Sequence, residues 1–60
     1  MNIPQDSFML LSFVNVKLRD FYNSIDDLCD DLDIDKDKLI EKLKKIGYIY
    51  NISKNQFIIF

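Results

Sequence analysis

The sequence predicts an α+β fold: three helices with a helix-turn-helix pair followed by a C-terminal β-hairpin, in winged-helix-like order. Three observations carry that prediction. Apolar residues recur at helical spacing in three successive stretches before residue 47, and a serine or aspartate able to cap a helix stands ahead of each. Past Gly47, the single glycine, the residues become β-branched and aromatic. The chain has 60 residues, 48% of them hydrophobic, and no linker, repeat or low-complexity tract divides it, so one domain over residues 1–60 is expected.

The first helix is expected from a cap at Asp6 or Ser7 to about Asp20, because a short side-chain oxygen satisfies free amides of the first turn. Leu10, Leu11, Val14 and Leu18 share one face of it; Met9, Phe13 and Val16 share another. Only Ser12, Asn15 and Arg19, with Phe8 beside them, form a mainly polar strip. A helix apolar on two sides is either central to its fold or half of an interface.

Phe21-Tyr22-Asn23 is β-prone and offers a third, very short strand to the hairpin. Ser24, with Asp27 three residues on, resembles a capping box and starts the second helix. Ile25, Leu28, Cys29 and Leu32 fall on one side of that helix, and Asp26, Asp27, Asp30 and Asp31 on the other. Asp33-Ile34-Asp35 breaks the period, and Asp35 caps the third helix, whose Leu39, Ile40, Leu43 and Ile46 face inward. Gly47 ends it, since glycine reaches a left-handed cap without strain. Tyr48 to Ile52 and Gln56 to Phe60 then pair around a loop of Ser53-Lys54-Asn55. A lone hairpin is unstable in water, so the helices must cover one of its faces.

Composition narrows the chemistry. With no histidine and one cysteine, Cys29, the chain can form no internal disulfide and no usual Cys/His zinc set. A lone cysteine fits a reducing cytoplasm, the expected location. The amino terminus has no basic residue, and the apolar run from Phe8 to Val14 is interrupted by Ser12, which describes neither a signal peptide nor a membrane span. Asn51-Ile52-Ser53 matches a glycosylation acceptor at the level of chance. Asp31, Asp33, Asp35 and Asp37 resemble a calcium loop, but the sixth and twelfth positions hold Lys36 and Lys42 where glycine and glutamate are required. No metal, cofactor or catalytic residue is therefore expected. Nucleophilic catalysis needs a base beside Ser or Cys, and Cys29 lies on an apolar face as a core thiol, so no enzyme is expected.

Two functional readings remain. The net charge is −2, with aspartates concentrated from Asp26 to Asp37 and lysines from there to Lys54. A small side chain at Cys29 and an apolar plug at Ile34 give the spacing of a helix-turn-helix. The third helix would then be the recognition helix, presenting Asp37, Lys38, Glu41, Lys44 and Lys45, with Lys42 on the flank and Lys54 at the wing tip. DNA binding rests largely on neutralising phosphates, and Asp37 and Glu41 sit where base edges would be met. A small winged-helix DNA-binding regulator using Lys38, Lys42, Lys44, Lys45 and Lys54 is thus the alternative reading. The first reading starts from an apolar surplus, since Met9, Phe13 and Val16 together with Phe57-Ile58-Ile59-Phe60 exceed what one hydrophobic face accommodates. It expects a non-catalytic protein-interaction module that self-associates as a homodimer through the first helix or the hairpin edge. Its partner surface would be Met9, Phe13, Val16, Phe57 and Ile59. The competing outcome folds both apolar sets into the same core.

Met1-Asn2-Ile3-Pro4, Met9-Leu10-Leu11-Ser12, Lys17-Leu18-Arg19-Asp20, Leu28-Cys29, Leu32-Asp33-Ile34-Asp35-Lys36, Leu43, Gly47-Tyr48, Tyr50-Asn51 and Asn55-Gln56-Phe57 resemble a family of short bacterial proteins classed as domain of unknown function 4250. The resemblance spans nearly the whole chain. It implies a stand-alone, cytoplasmic, bacterial small protein and supplies no catalytic or binding residues, because the family has no assigned activity.

Overall fold

The structure, a computed structural model, describes residues 3–60; Met1 and Asn2 of the amino-terminal motif lie outside the described residues. Three helices, α1 (Ser7–Asp20), α2 (Ile25–Leu32) and α3 (Lys36–Lys44), precede an antiparallel pair of strands, β1 (Tyr48–Asn51) and β2 (Gln56–Ile59). Every helix starts on a side-chain cap. Asp6, rather than Ser7, caps α1, its Oδ1 accepting from the amides of Phe8 and Met9 at 3.0 Å each. Ser24 accepts from Asp27 at 3.1 Å, and Asp35 from Lys38 at 3.1 Å. Each cap satisfies amides that have no partner within the helix.

The helix ends differ more. α2 closes on Asp33 in the left-handed region, φ 56°, and both Asp33 and Ile34 donate to the carbonyl of Cys29. Aspartate tolerates that conformation better than most residues because its side chain is short and polar. α3 stops at Lys44, short of the expected Ile46. Ile46 donates to Leu43 and Gly47 to Lys44 in tight turns, and Gly47 takes φ 91° as its position predicts. Ile46, expected inside, is half-buried because the chain leaves the helical path before it, and Ile40, within α3, is half-buried at the margin of the core.

The core is Leu10, Leu11, Val14 and Leu18 of α1, Ile25, Leu28 and Cys29 of α2, Leu39 and Leu43 of α3, and Phe57 of β2. Tyr48, Tyr50, Ile34 and Phe13 pack against its margin. The strands pair with Tyr48 opposite Ile59 and Tyr50 opposite Phe57, and the Tyr50 and Phe57 rings sit 5.5 Å apart in a tilted arrangement. The loop is one residue longer than expected. Asn51 Oδ1 accepts from the Lys54 amide at 2.8 Å, so the chain turns at once after Asn51 and Ile52 joins the loop.

The third strand does not form. Phe21 and Tyr22 both donate to the carbonyl of Lys17, at 2.8 and 3.0 Å, which winds them onto the end of α1 instead of extending them. A side chain takes the place of the strand. Asn15 Nδ2 donates to the carbonyl of Phe57 at 3.0 Å, and the Phe57 amide donates to Asn15 Oδ1 at 2.8 Å. A carboxamide carries the same donor and acceptor as a peptide unit, so one residue of α1 pairs the inner edge of β2 as a strand would.

Candidate functional site

The residues proposed as a partner surface separate into two groups. Met9 is 64% exposed, Val16 43% and Ile59 72%, and Phe13 is half-buried against the core margin. Phe57 is 2% exposed and lies in the core, which removes it from the surface. Its amide and carbonyl are held by Asn15, which turns its ring inward opposite Tyr50. Phe57 and Ile59 share one face of β2, and burial divides them along the strand: Phe57 is covered, whereas Ile59, the last residue of the strand, is exposed.

Helix geometry places Met9, Phe13 and Val16 together, on the side of α1 opposite its buried Leu10, Leu11, Val14 and Leu18. Ser12, also exposed, lies beside them. On one flank the Lys17 Nζ stands 5.5 Å from the centre of the Phe13 ring and 4.8 Å from that of Phe21. That geometry lets the cation lie over aromatic faces while remaining in contact with water. On the other flank β2 climbs α1 in the opposite direction. Asn55 donates to the carbonyls of Leu18 and Tyr22, Gln56 to that of Asn15, and Phe57 meets the Asn15 side chain. This heading carries Ile59 and Phe60, both exposed, toward the amino-terminal half of α1, where Phe8 is exposed as well. Sequence reasoning placed Phe8 in a polar strip and left Phe60 out of the surface; helical spacing alone does not reveal which strip the hairpin leaves bare.

The lysines of the alternative reading lie in more than one place. Lys38, Lys42 and Lys45 line a shallow hollow with Ser7 and Glu41, whereas Lys54 lines a different one beside Arg19, Asp20 and Tyr22. Lys42 Nζ donates to the carbonyl of Gln5 at 2.7 Å and ties the amino-terminal arm to α3. Asp37 and Glu41 are exposed on α3. Asp26 pairs with Lys36 at 2.8 Å across α2 and α3, and that contact pushes the lysine above its ordinary pKa.

Little else in the molecule is chemically poised. Cys29 is buried, and burial foremost, then the charge of Asp26, pushes its thiol above its usual pKa, so the reactive thiolate is disfavoured. The Tyr22 hydroxyl donates to Asp31, which raises the phenol's pKa and ties the α1–α2 connection to the end of α2. Among the described residues no group of three metal-ligating side chains gathers, and no helix is long and apolar enough to cross a membrane.

No curated protein and no solved structure matches the chain. A family model does, over nearly the whole domain from the arm before α1 to the core phenylalanine of β2. The chain belongs to the family described as a domain of unknown function, DUF4250, whose model matches residues 4–57.

Proposed function

We propose that this chain is a non-catalytic protein-interaction module that self-associates, with the outward side of α1 as its contact surface. The observation that supports this reading is the exposure of Met9 and Val16, with Phe13 beside them, on a helix whose opposite side already supplies four residues to the core. Covering such side chains stabilises an assembly by roughly 1.5–3 kcal/mol each, which is large beside the stability of so small a domain. A bacterial cytoplasm is the proposed setting, in keeping with a free, unpaired thiol.

Equilibrium sedimentation and thermal melting across a hundredfold range of protein concentration test the proposal. Association gives a melting temperature that climbs with concentration, and Met9→Asp abolishes the climb. A monomer with a flat melting temperature over that range refutes it. The regulator reading keeps one supporting observation, the grouping of Lys38, Lys42 and Lys45 along one flank of α3. Duplex binding that weakens steeply with salt would favour it, and no binding at low salt would remove it.

A further inference from the structure

We propose that the outer edge of β1 takes an extended segment of another protein, which adds antiparallel to the sheet as a third strand and places one large apolar side chain in a hollow between α2 and α3. The inference shares with the reading above only that the chain is an interaction module; its surface is separate from the outward side of α1.

The alternation of the ladder shows which backbone groups are free. Phe60 donates to the carbonyl of Gly47 at 3.0 Å, and that pair continues the register that sets Tyr48 opposite Ile59. Gly47 and Ile49 therefore turn their backbone groups toward β2, whereas Tyr48 and Tyr50 turn theirs away from it. The two Asn15 bonds agree, because they reach Phe57, the partner of Tyr50, from the side away from β1. Asn15 thus already occupies the opposite edge of the sheet. Among the described residues nothing bonds the amide or the carbonyl of Tyr48 or Tyr50, so β1 presents two donors and two acceptors at strand spacing.

The chemistry of that edge selects its occupant. An extended main chain matches alternating donors and acceptors one for one. A helix has spent its own, and a phosphate surface offers acceptors only, which leaves both carbonyls unpaired. The hollow adds a demand on the side chains. It has a volume of about 290 Å³, and its lining comes from Ile25, Ile40, Tyr50 and Ile52 with the paired charges of Asp26 and Lys36, so it opens off β1 on the side away from β2. Opposed residues of an antiparallel pair point to the same face, so the segment's residue opposite Tyr50 sends its side chain into this hollow. The residue after it lies opposite Ile49, which is 38% exposed on the other face. A second copy of β1 fits this site less well. In the register that uses all four groups of both edges, Tyr48 of the second copy comes opposite Tyr50, and that side chain already packs against its own core.

Peptide titration of the full chain tests the proposal. The probes are capped seven-residue peptides of alternating threonine and valine with leucine, phenylalanine or tyrosine at the centre, and backbone amide exchange is read by NMR. Saturable binding is expected to slow exchange at the Tyr48 and Tyr50 amides by about tenfold or more and to leave Ile49, which faces β2, unchanged. Alanine at the centre of the peptide weakens binding about tenfold, and so does N-methylation of the central residue, whose amide donates to Tyr50. N-methylation of the next residue, whose amide points away from β1, changes binding by less than about twofold. No binding at millimolar peptide, or equal losses from both N-methyl peptides, overturns the proposal. Protection of Tyr48 and Tyr50 that grows with protein concentration before any peptide is added reveals copies paired edge to edge and also overturns it. Sedimentation without peptide judges the α1 contact separately: a monomer that binds the peptides removes only that contact, and a chain that associates but ignores the peptides removes only the strand addition.

Discussion

Asn15 shows how much one side chain can decide. Both of its amide atoms are used by the backbone of Phe57, and its own carbonyl accepts from Gln56 at 2.9 Å. Asn15→Leu keeps the branched shape but leaves the amide and carbonyl of Phe57 without partners, at about 1–3 kcal/mol for each group, read as a lower urea midpoint. Asn15→Asp keeps the acceptor and turns the donor into a second acceptor facing the Phe57 carbonyl. That variant is expected to be unstable at neutral pH and to recover as the pH falls and the new carboxyl takes up a proton. Cys29 titrates in the opposite direction. Its folded pKa lies above the unfolded value of about 8.5, so its contribution to stability is complete below that pH and is lost as the pH rises through the folded value. The urea midpoint of the native chain should therefore fall more steeply in alkali than that of Cys29→Ala, and thiol reagents should label the folded protein slowly.

At the scale of the elements, the hairpin is tied to α1 by its turn as well as by its strand. Asn55 stands at φ 52°, accepts from the Tyr50 hydroxyl, and donates to the carbonyls of Leu18 and Tyr22 at 3.0 and 2.9 Å, closing the end of α1. Gly47 stands at φ 91° with open space where a Cβ would go. These two positive-φ residues respond differently to substitution. Gly47→Ala costs about 1–2 kcal/mol through backbone conformation alone. Asn55→Gly suits the backbone yet loses the three side-chain bonds, and is expected to cost about 1–3 kcal/mol in the same urea titration. The helix caps at Ser24 and Asp35, the switch at Gly47 and the hairpin were legible in the sequence, because caps, turns and periodicity are local. The absent third strand was not, because β-propensity in Phe21 and Tyr22 is outweighed by two bonds to the carbonyl of Lys17 and by the prior claim of Asn15 on the edge.

For the molecule as a whole, the division between core and surface separates stability from association. Phe57 is the one β residue in the buried set, and Phe57→Ala is expected to cost about 3–5 kcal/mol, enough to unfold a domain of this size. Met9→Asp should leave the monomer's stability within about 0.5 kcal/mol and change only its concentration dependence. By itself the sequence determined the order of elements, the inward sides of the helices, the acidic side of α2 and the surplus of apolar residues. Each of these follows from spacing and capping within a dozen residues. Only the tertiary structure decided that Phe57 belongs inside and Ile59 outside, that a carboxamide on a helix replaces a strand, and that Lys38, Lys42 and Lys45 gather beside Ser7. Those outcomes depend on which backbone groups of distant segments meet, and the geometry of a meeting across 42 positions of chain is written in no local pattern.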